Sequence, residues 1–351
     1  MTFRGHTCLA AVVSLVASAG VSAQQSGDRS IPSHPSQHVL DVMVSDSSGH
    51  PAIGLTKQDF TLLDNAVARP PTSFAAIQQE SSSAEVLLVI DAVNTPTIDV
   101  GYQREQIEKF LRSNEGHLGH VTTFAVVADQ GASIYNGATR DGNALAEALD
   151  HEQIGLRQIN RSGGFYGAND RLGICLKAMH EIAAFEAKRP GRKLVIWVSP
   201  GWPLLSGTEV ELDNKQQTQI YKEVIAFSAE LQDARITLYD VNSWGVNEPL
   251  GRATYYEEFL KPVTKPSQTR LGDLGLQVLA VQSGGLTLNS NDVPGMLQSC
   301  VKDADNYYEI SFDPAPTEKS DEYRPLQVRV AKSGLTVRTR QGYYAEPGAP
   351  K

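Results

Sequence analysis

The fold of this chain is decided by the stretch Val86-Leu-Leu-Val-Ile-Asp-Ala-Val-Asn-Thr95. It opens with an apolar run that has no polar alternation, which is typical of parallel strands buried on both faces. The run ends at Asp91, and Asn94 and Thr95 follow before an amphipathic segment at residues 100–111. In open α/β sheets, ligands bind where the carboxyl end of a strand meets such a turn. The turn after Ile90 is therefore the first candidate site.

Strands and helices alternate on both sides of this stretch, over residues 85–306. Residues 194–198 form a second fully apolar run, and residues 121–127 and 236–241 are further strands. Apolar side chains recur at helical spacing between and after these strands, and the last such stretch contains Val293, Met296, Leu297 and Cys300. This order predicts βαβ units and an α/β, Rossmann-like, doubly wound domain whose mainly parallel sheet is covered on both faces.

Two flanking segments show a different pattern, the strict alternation of half-buried strands. The first covers residues 38–79 and the second covers residues 307–346, with residues 347–351 as a tail. A β unit of this size buries too little apolar surface to be stable alone. We therefore predict that the two segments pair in one small β-sandwich beside the α/β domain.

The N-terminus has the three parts of a secretory signal. A basic start at Arg4 is followed by an apolar run over residues 8–21 and by the small-residue site Val21-Ser-Ala23. The run is shorter than the roughly 20 residues that span a bilayer. We expect residues 1–23 to be a cleaved signal peptide and residues 24–37 to be a flexible lead-in. The mature chain is then exported to the periplasm or the extracellular space, with no membrane span.

Composition excludes some classes of partner. The 351 residues are 41% hydrophobic and 20% charged, as in an ordinary globular protein, and the formal net charge is −9. A surface of that sign disfavours nucleic acid and anionic lipid. After signal cleavage the cysteines are Cys175 and Cys300. Export allows a bridge between them, but both lie on apolar helix stripes, which favours buried free thiols.

The order of these parts resembles the bacterial VWFA-related proteins of the Acidobacterial type, which are von Willebrand factor A-like. The resemblance covers nearly the whole mature chain, and the matching stretches include Leu88-Val-Ile-Asp-Ala-Val-Asn-Thr95, Lys193-Leu-Val-Ile-Trp-Val-Ser-Pro-Gly201, Ser283-Gly-Gly285 and Arg340-Gln-Gly-Tyr-Tyr344. It implies a secreted protein with a von Willebrand A-like core and a β module. The family has no established enzyme activity, and its relatives with intact metal sites mostly bind other proteins.

The resemblance also implies a place for a divalent metal, which intact von Willebrand A domains hold with an Asp-x-Ser-x-Ser turn. Here the turn reads Asp91, Val93 and Thr95, so one ligand is replaced by an isopropyl group. The second loop, residues 162–170, has no Thr, and Ser199 stands where the third loop has Asp. Mg²⁺ and Ca²⁺ need hard oxygen ligands. We therefore expect a degenerate site and no cofactor. The alternative is a site for Mg²⁺ or Ca²⁺ that keeps Asp91 and Thr95 as ligands, with Ser162, Asn169 or Asp170 in place of the missing Thr. The favoured alternative is that Asp91 caps the turn or bonds loop amides.

Other patterns for chemistry are incomplete. His180-Glu181 matches the first two residues of the His-Glu-x-x-His motif of zinc proteases, but position 184 is Ala where the motif needs its second His. Both side chains are therefore predicted on a solvated helix face. Ser199 ends a strand, yet the Gly-x-Ser-x-Gly motif is missing and no His or acid can be assigned to it. Arginines on alternating strands are predicted to cover the outer sheet face, namely Arg329, Arg338 and Arg340.

Together these features predict an exported, non-enzymatic binding module. We expect its partner, a protein or another cell-envelope ligand, to meet a solvent-facing rim formed by the turns after Ile90, after Val198 and in residues 162–170. The predicted rim residues are Asp91, Asn94, Thr95, Ser199 and Trp202. For Trp202 the alternative is that it packs under a loop. Two alternatives stay open: a secreted hydrolase that uses the same rim, and a structural component of an envelope assembly.

Overall fold

The computed structural model describes residues 37–152, 164–203, 205, 212–244, 254–317 and 319–346. The predicted signal peptide, almost all of the lead-in and the tail at 347–351 lie outside the described residues. Within the described ranges, no helix combines the length and the apolar character needed to cross a membrane.

The secondary structure alternates as the sequence predicts. The strands are β1 (His38–Ser45), β2 (Phe60–Asp64), β3 (Val67–Arg69), β4 (Ser73–Ile77), β5 (Glu85–Asp91), β6 (His117–Ala128), β7 (Gly131–Ile134), β8 (Thr139–Asp141), β9 (Lys193–Ser199), β10 (Ile236–Asn242), β11 (Thr287–Asn289), β12 (Tyr307–Phe312), β13 (Glu322–Val330), β14 (Thr336–Arg338) and β15 (Gly342–Ala345). The helices are α1 (Thr97–Leu111), α2 (Gly142–His151), α3 (Gly164–Glu186), α4 (Asn214–Asp233), α5 (Leu276–Gln282) and α6 (Val293–Val301).

The central sheet has the strand order β11-β10-β9-β5-β6-β7, with β8 beside β6. All of its pairs from β11 to β6 are parallel, whereas β7 and β8 run antiparallel to β6. The order reverses direction around β5, the first strand of the domain. This is the arrangement of a doubly wound sheet, in which ligand sites form at the carboxyl ends of the central strands.

Helices cover both faces of this sheet. In β5, Leu87 and Val89 pack with α3, α4 and α5, whereas Val86, Leu88 and Ile90 pack with α1, α2 and α6. These side chains are at most 1% exposed, which explains why the strand has no polar alternation. The predicted doubly wound α/β fold is confirmed.

Short polar signals fix where the covering helices begin. Before α4, Asp213 accepts a hydrogen bond from the Gln216 amide (2.7 Å), and the Gln216 side chain accepts one from the Asp213 amide (2.9 Å). Before α2, the Asp141 carboxylate accepts from the Ala144 amide (3.0 Å). Such caps satisfy amides that have no partner inside the helix.

The two flanking segments form a β-sandwich, as predicted. One sheet has the order β14-β1-β12-β4 and the other has the order β15-β13-β2-β3, so each sheet combines strands from both ends of the chain. Alternate residues of β1, β2, β12 and β13 meet in a shared core, which includes Val42, Leu62, Ile310 and Phe312. Neither segment could bury these side chains alone.

The sandwich packs against the amino ends of the central strands. Arg192, which directly precedes β9, donates to the Met43 sulfur (3.2 Å) and lies near Asp41. Arg235, which directly precedes β10, donates to Asp41 (2.6 Å) and Glu309 (2.8 Å). Because Asp91 lies at the opposite end of the sheet, the sandwich and the carboxyl ends of the strands face away from each other.

The outer-face prediction for the arginines is wrong for two of the three. Arg338 donates to the Gly284 carbonyl and to the Asp303 carboxylate, and Arg340 donates to the Ser228 carbonyl (3.2 Å). Both are therefore in the junction between the sandwich and the α/β domain. Strand alternation shows which side chains share a face, but it does not show that a second module covers that face.

The two cysteines are buried free thiols. Cys175 packs in the cluster on the α3 side of the sheet and Cys300 in the cluster on the α6 side. Because the central sheet separates them, the alternative of a bridge between them is wrong, and the prediction of buried free thiols is confirmed.

Candidate functional site

Three neighbouring strands end with a polar residue at the same edge of the sheet. Asp91 ends β5, Ser199 ends β9 and Asn242 ends β10. The register pairs Ile90 with Val198 and Ser199 with Asn242, so the three ends are level. We refer to residues 91–96, 199–203 and 242–244 as the strand-end rim.

The Asp91 carboxylate accepts four hydrogen bonds from within the chain. Oδ1 accepts from the amides of Val93 (2.9 Å) and Asn94 (2.8 Å). Oδ2 accepts from the Asn94 side-chain amide (2.8 Å) and from the Trp197 indole N–H (3.1 Å). Burial raises the pKa of Asp91, and these bonds oppose that rise. The favoured alternative, that Asp91 bonds loop amides, is confirmed.

Gln103 connects the first turn of the rim to the second. It lies in α1 with 0% exposure, and its amide nitrogen donates to the Val198 carbonyl at the end of β9. Its amide oxygen accepts from the Thr95 hydroxyl (3.4 Å). Sequence reasoning missed Gln103, because a single polar residue on a helix does not reveal that it faces a strand end.

The turn after β9 closes on itself. The Ser199 hydroxyl accepts a hydrogen bond from the Gly201 amide (2.9 Å), and Gly201 has a φ of 86°, which favours glycine. Trp202 follows, and its ring packs edge-on against Trp197 with centroids 5.2 Å apart. Trp202 is only 2% exposed, so it lies under the turn and supports the Trp197 indole that bonds Asp91.

The prediction of a solvent-facing rim is therefore wrong for four of its five residues, Asp91, Thr95, Ser199 and Trp202. The first three are at most 1% exposed, and of the five only Asn94 is half-buried. The physical reason is that the turns fold inward to supply donors to a buried carboxylate. Polar residue types at a strand end predict the position of a site, but not which way the side chains face.

The third segment of the predicted rim, residues 162–170, is helical and not a loop where the structure describes it. Residues 162 and 163 lie outside the described residues, and α3 begins at Gly164. Asn169 and Asp170 are exposed on that helix. The helix begins with Gly164 and Gly167, which are poor helix formers, before the apolar stripe that includes Leu172 and Cys175. Sequence reasoning therefore missed where the helix starts.

The surface of the rim consists of other residues. Pro96, Pro203, Ser243 and Trp244 are half-buried, as is Asn94. The Trp244 amide donates to the Asn242 side-chain oxygen (2.9 Å), which fixes the chain direction after β10. Sequence reasoning missed Trp244 because it follows β10 in a stretch without periodicity. The aromatic at the rim surface is thus Trp244 and not Trp202.

The residues at this rim do not fit a divalent metal. A cation needs oxygen lone pairs directed at it, but both Asp91 oxygens are already surrounded by N–H donors. The Thr95 hydroxyl bonds Gln103, and the Ser199 hydroxyl bonds Gly201. The Trp197 N–H and the Asn94 side-chain amide are donors that would repel a cation at Oδ2.

A second polar cluster lies away from the rim, between α3 and α4. The two ring nitrogens of His180 are each 2.7 Å from a carboxylate, Nδ1 from Glu230 and Nε2 from Glu223, and the ring stacks on Phe227. Glu181 accepts from the Ala132 amide (2.8 Å) in β7. The side chains of His180 and Glu181 are 33% and 38% exposed, so they lie on a partly solvated helix face as predicted. The sequence did not predict that each also bonds a neighbouring element.

Comparisons with known proteins are distant. No family model matches the chain, and no curated protein matches it. Many solved structures are similar to it in part, including these three. The human COPII-coat protein Sec24c has 9% identity and a TM-score of 0.34 over 87% of this chain and 48% of its own. The SpRpn10 VWA domain has 11% identity and a TM-score of 0.28 over 61% and 95%.

The third is the pilus adhesin SpaC from Lactobacillus rhamnosus GG in its open conformation, with 10% identity and a TM-score of 0.36 over 82% of this chain and 47% of its own. This chain thus spans about half the length of Sec24c and of SpaC. Likeness at this level carries no argument about function. The fold assignment rests on the strand order and on the helices that cover both faces of the sheet.

Proposed function

We propose that this chain is a non-enzymatic, protein-binding module that uses its strand-end rim without a metal ion. The observation that carries the proposal is the placement of the sandwich. Its contacts through Arg192 and Arg235 are at the amino ends of β9 and β10, whereas Asn94, Pro96 and Trp244 are at the carboxyl ends, half-buried. Within the part of the chain that the structure describes, the sandwich therefore occupies the amino end of the sheet and leaves the carboxyl end to the rim.

The chemistry of that surface supports a protein partner. Tryptophan is enriched among the residues that dominate binding energy in protein interfaces, and Trp244 is held at the rim by its amide bond to Asn242. Pro96 and Pro203 add rigid apolar surface that loses little entropy on binding. Asn94 contributes a half-buried amide beside them.

The same geometry supports metal independence. In a metal-dependent site the cation offsets the charge of the strand-end carboxylate, and here N–H donors on Asn94 and Trp197 do so. The rim is therefore already ordered before a partner arrives. In this proposal the site is a degenerate form of the von Willebrand A metal site, as the resemblance to the Acidobacterial-type family implies.

Ser199 supports the non-enzymatic part of the proposal. Its side chain is 0% exposed and its hydroxyl oxygen accepts from the Gly201 amide. A nucleophilic serine needs an exposed oxygen beside a general base. The geometry of Ser199 gives a substrate neither access nor an activated oxygen.

The location and the partner class rest on the sequence. The signal-like residues 1–23 lead us to propose export to the periplasm or the extracellular space. The partner proposed there is another protein of the cell envelope, which fits a module that carries a net charge of −9 and is therefore unsuited to nucleic acid.

The test is a binding measurement on rim variants. Envelope proteins captured by the mature chain in EDTA are identified, and the affinity for the purified partner is then measured by biolayer interferometry. Trp244→Ala is expected to weaken binding about 30-fold or more, as truncation of an interface anchor does. The matched control is Ile53→Ala, which removes a side chain that is 65% exposed on the sandwich segment.

The proposal is contradicted if Ile53→Ala weakens binding and Trp244→Ala does not, because the contact surface would then be the sandwich. It is also contradicted if the partner binds only when Mg²⁺ or Ca²⁺ replaces EDTA.

A further inference from the structure

A small cavity lies in the junction between the β-sandwich and the α/β domain. Its walls come from α4, α5, β13 and β15, and its polar lining includes Ser228, Gln282, Tyr323 and Arg340. Water can be centred in about 20 Å³ of this space, which is room for one or two water molecules or for one small ion. The cavity is distant from the strand-end rim, because it lies on the sandwich side of the domain.

Among the described residues that line this cavity, the Arg340 guanidinium is the only cation. Its hydrogen bond is to a neutral group, the Ser228 carbonyl (3.2 Å). Among the described residues, no carboxylate lies within ion-pair distance of it. The other junction arginines differ, since Arg235 contacts Asp41 and Glu309, and Arg338 contacts Asp303.

Burial opposes the charge of this arginine. It lowers the pKa of Arg340 to about 10, and the more distant Tyr323, Asp41 and Asp233 offset only part of that shift. The side chain is half-buried, and a charge held partly out of water is stabilised by a counter-charge or by hydrogen bonds. A guanidinium has five N–H donors, and the bond to the Ser228 carbonyl leaves the others available to water or to an anion in the cavity.

Tyr323 adds a neutral donor to the same cavity. Among the described residues its hydroxyl has no hydrogen-bond partner, and its ring packs edge-on against Tyr344 with centroids 5.2 Å apart. A side chain at Gly342 would come within 2.3 Å of this hydroxyl. Because Gly342 has no side chain, the Tyr323 hydroxyl has room to line the cavity as a second hydrogen-bond donor.

We infer that this junction cavity binds a small inorganic anion of about the size of chloride, between the Arg340 guanidinium and the Tyr323 hydroxyl. The anion supplies the counter-charge to Arg340 and accepts hydrogen bonds from its guanidinium and from the Tyr323 hydroxyl. Arg340 and Tyr323 belong to the C-terminal segment, whereas Ser228 belongs to α4, so a bound anion would hold the sandwich against the α/β domain.

The experiment compares thermal unfolding of the mature protein in sodium chloride and in sodium gluconate at equal ionic strength. Gluconate is too large for the cavity, so it controls for screening. We expect the melting temperature to rise saturably with chloride, and ³⁵Cl NMR to show a line broadening that bromide reverses. Arg340→Gln is expected to raise the apparent chloride dissociation constant at least about tenfold.

The matched control is Arg329→Gln, since Arg329 is exposed and its guanidinium contacts Gln327 (2.8 Å). It should keep the full chloride effect. Tyr323→Phe removes the hydroxyl and keeps the ring, so it tests the site even where Arg340→Gln does not fold, and a several-fold weaker chloride response is expected. Equal melting temperatures in the two salts, or a chloride effect unchanged in both cavity variants, would overturn the inference.

Discussion

Replacing Asp91 with alanine would leave four hydrogen-bond donors without their acceptor. Two of them, the amides of Val93 and Asn94, form the turn itself. Of the other two, the Asn94 side-chain amide bonds within the same turn, and the Trp197 indole connects the turn to β9. The expected result of Asp91→Ala is therefore a large loss of folding stability, with the loss concentrated at the strand-end rim.

The magnitude follows from the bonds that are lost. A hydrogen bond to a charged acceptor contributes about 1.5–3 kcal/mol, and a buried donor left unsatisfied costs about 1–3 kcal/mol. Removing a buried carboxylate also removes its desolvation cost, which is evident because burial raises the pKa of Asp91. With water filling part of the space, the net loss expected for Asp91→Ala is about 4 kcal/mol.

Asp91→Asn separates charge from hydrogen bonding. Its side-chain oxygen can keep the two amide bonds, while its NH₂ group faces the donors of Asn94 and Trp197. We expect an intermediate loss of about 2 kcal/mol. The matched control is Asp150→Ala, because the Asp150 side chain is 61% exposed and is 3.7 Å from Arg104. A surface pair of this kind contributes less than about 1 kcal/mol.

The assay is guanidinium unfolding in EDTA, followed by tryptophan fluorescence and far-UV circular dichroism. Unchanged denaturant slopes show that the same two-state transition is compared. The reasoning is refuted if Asp91→Ala is within about 1 kcal/mol of the wild type or is more stable. An apo metal site would give that result, because its carboxylate is an unpaired buried charge.

Two further predictions concern pH. Burial, helped by Arg340, lowers the pKa of His38 from 6.5 to about 4. The contribution of neutral His38 to the free energy of unfolding is therefore complete above pH 6.5, and about 3 kcal/mol of it is lost as pH falls to 4. His38→Phe should flatten this dependence of the free energy of unfolding on pH, measured by urea unfolding. Burial raises the pKa of Asp273 from 3.8 to about 6, so its contribution is complete below pH 3.8 and is lost as pH rises to 6. Asp273→Asn should therefore stabilise the protein at pH 7 by up to about 3 kcal/mol and have little effect below pH 4.

Both substitutions keep the local packing, which makes the comparison direct. A phenylalanine ring can keep the edge contacts of His38 with Phe312 and Tyr343, and asparagine can still accept the Arg270 amide bond (2.7 Å). If His38→Phe loses as much unfolding free energy as the wild type between pH 6.5 and 4, His38 is not the group responsible for the pH dependence. An Asp273→Asn variant no more stable at pH 7 than at pH 4, relative to the wild type, would contradict the second prediction.

The layers of the fold could be predicted because they depend on local pattern. Strands β5 and β9 are apolar without alternation, and this feature predicts burial on both faces. Strands β1 and β13 alternate, which predicts one buried face. The pairing of the two ends of the chain followed from the small area that either could bury alone.

The candidate site could be located from sequence but not described. Trp197 and Asp91 are 106 residues apart in the chain, and nothing local to a fully apolar strand shows that an indole N–H reaches the neighbouring strand end. The same holds for Gln103 and its bond to the Val198 carbonyl. Long-range hydrogen bonds of this kind hold polar side chains inside the protein, and for this reason the rim is buried where the sequence predicts an exposed surface.

The most direct test of metal independence at the strand-end rim is a calorimetric titration of the mature protein with Mg²⁺, Ca²⁺ and Mn²⁺, repeated on Asp91→Asn. Because N–H donors surround both oxygens of Asp91, we expect only the heat of dilution from either protein. Saturable heat in the wild type that is lost in Asp91→Asn would show that a cation displaces those donors, and it would contradict metal independence.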